Sequence, residues 1–315
     1  MSPNTTNSIT LVGLASAACT IAAVTTLLGY LGEFWWAFDL FSHFRVQYVV
    51  AAAIAFLIAL TSKAWSVACI AALTVMLNIA TIVPFYTAPA TSPAATERLR
   101  VLMLNTHISG GKPALVGAMI EETLPDVIVL AEVDSFWLTA LQKSLARYPY
   151  RLTAPRQDTF GMALFSRKPL LQTDVLRVGP AGFPTLVARI EWSAQQLTIA
   201  GTHPPPPFNR KMSAQRNAQL TELGRMLKPV NKVLIVGDLN ATPWSNAYRS
   251  LISSTGLQNC AQGTGVHPTW PTHFWPLGIP IDHCLVSPGI PVSRFWVGPN
   301  VGSDHFPIFV ELGGE

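Results

Sequence analysis

The chain has 315 residues, of which 50% are hydrophobic and only 12% charged, with a formal net charge of +4. A soluble domain carries roughly 25% charged residues, so this balance excludes a wholly water-borne protein. The net charge is too small to single out a nucleic acid or a membrane surface as partner.

Residues 9–32, 46–62 and 64–96 contain no Asp, Glu, Lys, Arg or His. About 20 apolar residues, each rising 1.5 Å, cross a hydrocarbon core of ~30 Å. Three transmembrane helices are therefore expected within residues 1–84. The leading MSPNTTNS has no basic residue, and the apolar run after it exceeds a secretory h-region, so the first helix is expected to be retained. Between the first two spans, EFWWAFDLFSHFR (33–45) has the aromatics of an interfacial belt and suits an in-plane helical turn or a plain connecting loop. Lys63 stands alone in the next turn; the positive-inside tendency puts it in the cytoplasm and the rest of the chain outside. Arg98 and Arg100 pull weakly the other way.

Residues 85–97, small, Pro-containing and nearly uncharged, read as a linker. Residues 98–315 read as one α/β domain; 19 of the 21 basic and 15 of the 17 acidic residues lie from Glu97 onward. Cys19 and Cys69 fall in the expected helices. Cys260 and Cys284 fall in the domain, where two buried free thiols are expected, with pairing open to them in an oxidising compartment.

Within the domain, RLRVLMLNT reads as a buried strand and KPALVGAMIEETL as the helix after it. PDVIVLAEV, FGMALFSRKP, TLVARIEWS, QLTIAGTHP, NKVLIVGDLN, IPIDHCLVS and the closing IFVEL read as further strands, with a helix near 212–227. Strands mixed with helices and hairpin-like pairs imply a mixed sheet or more than one sheet. Polar residues fall at the strand ends: Asn105, Glu132, His203, Asp238 with Asn240, Asp282 with His283, and Asp304 with His305. Strand ends are rigid places to hold a site, and a set this large suggests convergence.

The ordered motifs LNTH, LAEV, FGMALFSR, GTHP, GDLNATPWS, PIDH and GSDHFP resemble the endonuclease/exonuclease/phosphatase superfamily of DNase I-like proteins over residues 98–312. The resemblance implies a two-sheet β-sandwich flanked by helices, with a divalent metal, usually Mg²⁺ with Mn²⁺ as a substitute, at one end. By motif, Glu132 would be the principal metal ligand with Asn105 beside it, an oxygen set that suits Mg²⁺. His305 would be a general base or phosphate stabiliser oriented by Asp282. Asp238 and Asn240 would position the attacking water and a phosphoryl oxygen, His203 would donate to the phosphate, and Asp304 would hold the metal or the Asn105 side. His283, on the opposite face of its strand, reads as structural. His107 stands where some family members carry a second acidic ligand, and Asp134 where nucleases often carry a DNA-contacting Arg.

The basic cluster Arg210, Lys211 and Arg216 reads as a cradle for a phosphorylated head group or as a solvated helix face, and Trp270 and Trp275, in the loop before the Asp282 strand, as substrate or membrane-interface contacts or as ordinary loop packing. A tethered catalytic domain searches a surface, which favours a lipid-linked phosphoester: a phospholipid-type diester or a polyprenyl pyrophosphate. An extracytoplasmic nuclease is the alternative within enzymes; a catalytically dead, membrane-tethered binding module is the alternative outside them.

Overall fold

The computed structural model describes residues 10–87 and 97–313. The chain divides into two compact units, Met1–Pro84 and Phe85–Glu315. Of the expected linker, residues 88–96 lie outside the described residues.

The first unit holds α1 (Leu11–Tyr30), a short α2 (Trp36–Leu40), one turn of 3₁₀ helix (Phe41–Phe44), α3 (Arg45–Thr61) and α4 (Trp65–Ile82). Three helical stretches, Leu11–Tyr30, Trp36–Thr61 and Trp65–Ile82, are long and apolar enough to cross a membrane. The aromatic segment 33–45 is thus largely helical and runs into α3 rather than forming an open loop. Small side chains line the helix contacts: Ala15, Cys19 and Ala22 on α1, Ala52, Ala55 and Ala59 on α3, Ala68 and Ala71 on α4. Leu11, Ile21, Leu57 and Met76 point outward. This inverts the water-soluble pattern, since in lipid the backbones approach through small residues and large aliphatics face the tails.

One further helical turn, α5 (Pro84–Thr87), precedes a four-layered α/β domain. One sheet has the order β11-β12-β1-β2-β4-β3, built from β1 (Leu99–Asn105), β2 (Val127–Ala131), β3 (Tyr150–Ala154), β4 (Met162–Ser166), β11 (Val292–Val297) and β12 (Ile308–Leu312). The other has the order β5-β6-β7-β8-β10-β9, built from β5 (Gln172–Val178), β6 (Phe183–Trp192), β7 (Gln195–Thr202), β8 (Val233–Asp238), β9 (Gln258–Asn259) and β10 (Asp282–Val286). The helices are α6 (Pro113–Thr123), α7 (Ser135–Ala140), α8 (Arg210–Leu227) and α9 (Asn246–Thr255).

Strand alternation builds the layers. Leu99, Val101 and Met103 of β1, with Val127 and Val129 of β2, enter the core between the sheets, where Leu234 and Val236 of β8 meet them. Leu102, Leu104, Ile128 and Leu130 point to the other face and pack with Val116, Met119 and Ile120 of α6 and Trp137 of α7. Val233 and Ile235 do the same under α8 and α9, against Leu220, Leu223 and Leu251. Both faces of the central strands are buried, which is why they read as continuous apolar runs instead of a period-two pattern. The expected two-sheet sandwich flanked by helices is the observed fold.

Sheet pairing fixes the site end. β1 and β2 are parallel with Asn105 opposite Ala131, and β7 and β8 are parallel. β10 runs antiparallel to β8 with Asp282 directly opposite Asp238, and β12 runs antiparallel to β1 with Ile308 opposite Met103. The C-terminal ends of β1, β2, β7 and β8 therefore meet the N-terminal ends of β10 and β12 at one end of the sandwich.

Cys260 and Cys284 are joined by a disulfide, which corrects the expectation of free thiols. Sequence spacing hid the pairing, because β9 and β10 bring the two cysteines together by an antiparallel register in which Cys260 N–H donates to Cys284 O at 2.9 Å.

Candidate active site

The polar residues at the strand ends converge on Asp238. Its Oδ2 accepts from Asn105 Nδ2 at 3.1 Å, lies 3.4 Å from His203 Nδ1 and 3.7 Å from His305 Nε2, while Oδ1 accepts from Asn240 N–H at 2.9 Å. The same Asn105 amide donates to Glu132 Oε1 at 3.0 Å, so one NH₂ group spaces two carboxylates. Glu132 Oε2 accepts from Ile108 N–H at 3.1 Å, and His203 Nε2 stands 3.7 Å from Oε1. Asn105 Oδ1 accepts from His107 N–H at 3.0 Å.

Backbone strain marks the same place. Glu132 has φ +60° and Asn240 φ +49°. The left-handed region costs an ordinary side chain roughly 1 kcal/mol or more, though asparagine tolerates it. The Thr106 hydroxyl lies 2.8 Å from the Glu132 carbonyl and 3.0 Å from that of Ala131, holding the turn that carries Glu132 off β2.

On the other side, His305 Nδ1 and Asp282 Oδ2 are 2.8 Å apart, an acid–imidazole pair that is buried at both ends. Asp282 is positioned by the Thr269 hydroxyl, which accepts from its N–H at 3.2 Å. His305 is positioned by Ser303 Oγ, which accepts from His305 N–H at 3.0 Å and donates to Asn105 O at 2.7 Å. Sequence reasoning gave Thr269 no role; Thr106 within LNTH and Ser303 within GSDH were visible, but not what they hold in place.

Burial pushes the Asp238 carboxyl up to about 6, against the pull of His305 and His203. His305 is itself buried, which opposes its charging, yet the Asp282 and Asp238 carboxylates lift it to about 10. His283, on the opposite face of β10, is held down to about 4 by burial, and its Nε2 contacts Ala241 O at 2.7 Å, in keeping with a structural role.

Other expected residues fall at the margins. Asp304 accepts from Trp270 Nε1–H at 3.1 Å and lies 3.5 Å from His107 Nδ1, so it ties the Trp270 loop to the Asn105 side of the site. Trp270 is half-buried beside His305, whereas Trp275 is 81% exposed. Asn240 uses its amide on Pro204 O at 3.0 Å, tying the Pro-rich loop to Asp238 instead of presenting a free amide. Arg210 and Lys211 are exposed in the first turn of α8. Arg216 is not with them: it is fully buried and donates to Asn240 O at 2.9 Å, a brace beneath the site and not a substrate contact. Two turns of helix turned its side chain inward, which its sequence neighbours conceal. Asp134 caps α7, its Oδ1 accepting from Trp137 N–H at 2.9 Å.

The donor set fits a hard divalent cation. Asp238, Asp282 and His305 each offer a ligand atom, all within 4.8 Å of one another, and the buried Asp282 Oδ1 has no hydrogen-bond partner. Glu132 adds a carboxylate whose two oxygens each accept one hydrogen bond, from Asn105 and from Ile108 N–H, well short of its roughly four lone-pair sites.

A sandwich of two mixed sheets with acids, amides and imidazoles gathered at one end is the architecture of a phosphoester hydrolase. The match to the endonuclease/exonuclease/phosphatase family covers residues 104–305, and the chain belongs to that family. Its members act on phosphoester bonds and are typically divalent-metal dependent. The inositol phosphosphingolipids phospholipase C of Saccharomyces cerevisiae is 27% identical over 162 residues, covering 42% of this chain and 33% of that protein, so the chain spans about a third of the length of this curated relative. Among solved structures, the human Nocturnin catalytic domain with bound sulfate anion matches at a TM-score of 0.58 and 21% identity, over 70% of this chain and 96% of that one. D. rerio TDP2 complexed with single strand DNA product matches at 0.56 and 16%, over 69% and 100%. An endonuclease/exonuclease/phosphatase family protein from Leptotrichia buccalis matches at 0.57 and 18%, over 69% and 100%. These likenesses show the fold.

Proposed function

We propose that the chain is a membrane-anchored, Mg²⁺-dependent hydrolase of a lipid-linked phosphate, a phospholipid-type diester or a polyprenyl pyrophosphate, with its catalytic domain on the extracytoplasmic side. The observation that carries the chemistry is the convergence of Asn105, Glu132, His203 and His305 on Asp238, with Asp282 behind His305. The lipid assignment is supported by the three apolar helices and by the likeness to a phospholipase of phosphosphingolipids. The disulfide supports the extracytoplasmic side, because such bonds persist in oxidising compartments.

Of the carboxylates at this end, Glu132, with Asn105 beside it, would hold the cation, because Asp282 and His305 are engaged with each other at 2.8 Å, and Mn²⁺ would substitute for Mg²⁺. When bound, it supplies positive charge against the phosphoryl oxygens. Asp282 fixes the Nδ1 side of His305, so that Nε2 is the atom that exchanges a proton or donates to a phosphoryl oxygen. Asp238, 3.7 Å from that nitrogen, orients the attacking water, and His203 donates to the phosphate from the opposite flank. Asn240 is a positioning residue that holds Asp238 and the Pro-rich loop together.

The test is head-group or phosphate release by the purified full-length protein. A panel of lipid phosphoesters is compared with plasmid DNA, with and without Mg²⁺, alongside Glu132→Gln and His305→Ala. Lipid hydrolysis that needs Mg²⁺ and falls by about 10²–10⁴ in His305→Ala is expected. Cleavage of DNA alone would transfer the assignment to a tethered nuclease, and binding without turnover on any substrate would make the domain a binding module.

A further inference from the structure

Among the described residues of the catalytic domain, the exposed aromatic side chains are unevenly placed. From residue 97 onward five aromatics are exposed: Phe136 at 63%, Tyr150 at 39%, Phe208 at 77%, Phe274 at 51% and Trp275 at 81%. Four of the five lie in segments that begin at site residues. Phe136 is four residues beyond Glu132, in α7. Phe208 is five beyond His203, in the loop whose Pro204 carbonyl is held by Asn240. Phe274 and Trp275 follow Thr272, whose N–H donates to Asp304 O at 2.9 Å and whose hydroxyl donates to Ser303 O at 2.8 Å. Tyr150 alone sits at the far end, paired with Ser166 where β4 runs away from the site. A folded domain gains by burying such rings, and rings gathered toward one end are placed to meet a surface that covers that end.

The charge beside them selects the partner. Arg210 and Lys211 are exposed directly after Phe208, and nothing acidic lies between residues 203 and 221 to offset them. Aromatics at the tips of loops with adjacent Lys and Arg match the headgroup level of a bilayer, where rings settle at the interface and cations meet lipid phosphate. The rings are carried by three separate segments, α7, the Pro-rich loop and the stretch before β10, each leaving the site end of the sandwich, so a broad lipid surface suits them better than a single protein contact.

We propose that the site end of the domain docks on an anionic bilayer, with Phe136, Phe208 and Trp275 entering the interface and Arg210 and Lys211 pairing with lipid phosphate. This deepens the lipid reading of the active site and rests on it for the substrate, but docking is measurable without turnover. It also gives Trp275, Arg210 and Lys211 a role distinct from gripping one substrate molecule.

The test uses the full chain in nanodiscs of equal phosphatidylglycerol and phosphatidylcholine. Spin labels are attached through Phe208→Cys, Trp275→Cys or Leu171→Cys, on a background with Cys19→Ala and Cys69→Ala. Leu171 is exposed but lies beyond β4, at the opposite end. Labels at 208 and 275 are expected to relax more with membrane-soluble oxygen than with a water-soluble nickel chelate, and the label at 171 the reverse. Arg210→Ser with Lys211→Ser is expected to reduce the docked-to-undocked ratio on the order of tenfold or more. Labels at 208 and 275 as water-accessible as the label at 171 would overturn docking. Immersed labels in a protein that hydrolyses no lipid would instead overturn the substrate assignment and leave docking standing.

Discussion

At the scale of single residues, the site depends on one amide. Asn105 Nδ2 is the donor common to Glu132 and Asp238, and with the His203 ring it stands between the two carboxylates. Asn105→Ala is expected to lower Mg²⁺-dependent turnover about 10- to 100-fold, the usual cost of losing a group that orients a metal ligand, with the loss read as a raised Mg²⁺ requirement in kinetic titrations. A second residue separates stability from chemistry. Tyr148 is buried under α6 and α7 with its hydroxyl unpartnered, and burial raises its pKa from 10 to about 12. An acid raised in the fold stays neutral there while the unfolded chain ionises, so this contribution is whole below pH ~10 and disappears as pH rises through ~12. Tyr148→Phe is expected to leave stability at pH 7 within ~1 kcal/mol, because no hydrogen bond is lost. It should also flatten the alkaline decline in urea unfolding between those two values; an unchanged alkaline limb would place the ionisation elsewhere.

At the scale of elements, the three long apolar helices are tied by a buried polar clasp. Asn78 Nδ2 of α4 donates to Thr26 Oγ1 of α1 at 2.8 Å, and Asn78 Oδ1 accepts from Arg45 Nη1 of α3 at 3.2 Å. Arg45 also reaches Thr26 O at 3.3 Å and lies over the Tyr30 ring at 4.2 Å. Asn78→Leu is expected to cost about 1 kcal/mol of helix association, with Thr26→Val non-additive to it, measured by detergent unfolding of the full chain. That clasp was not legible in the sequence, where Arg45 looked like the end of a loop. The strands show where legibility stops. The buried strands β1, β2, β8, β10 and β12 could be read as apolar runs, but β3, β5, β9 and β11 were not foreseen. Those four are the edges of the two sheets. An edge strand has solvent on one side and a mixed pattern, as in β5, where Gln172, Thr173 and Asp174 are exposed, so its pairing is decided by neighbours far along the chain. The site residues were visible because each interrupts a buried strand at its end, while Arg216 was misplaced because burial on a helix face depends on what packs there.

At the scale of the whole molecule, the spans, the disulfide and the lone Lys63 turn bear on one question, which side of the membrane the chemistry faces. Three crossings with Lys63 in the cytoplasm would deliver the domain to the other side, the orientation proposed above. The Cys260–Cys284 bond agrees, since a cytosolic domain would be kept reduced. The bond closes a sequence separation of 24 residues, for which loop closure predicts about 3 kcal/mol of stabilisation. Replacing both cysteines by alanine should therefore lower the urea midpoint of the domain transition in the full chain, and dithiothreitol should do the same to the unmodified protein. A reporter active only in the cytoplasm, fused after Glu315, should be silent, and the two cysteines should resist alkylation in intact cells until a reductant is added. Strong reporter activity with freely alkylated thiols would reverse the orientation, confining the substrate to the cytoplasmic leaflet and leaving Lys63 on the outer side.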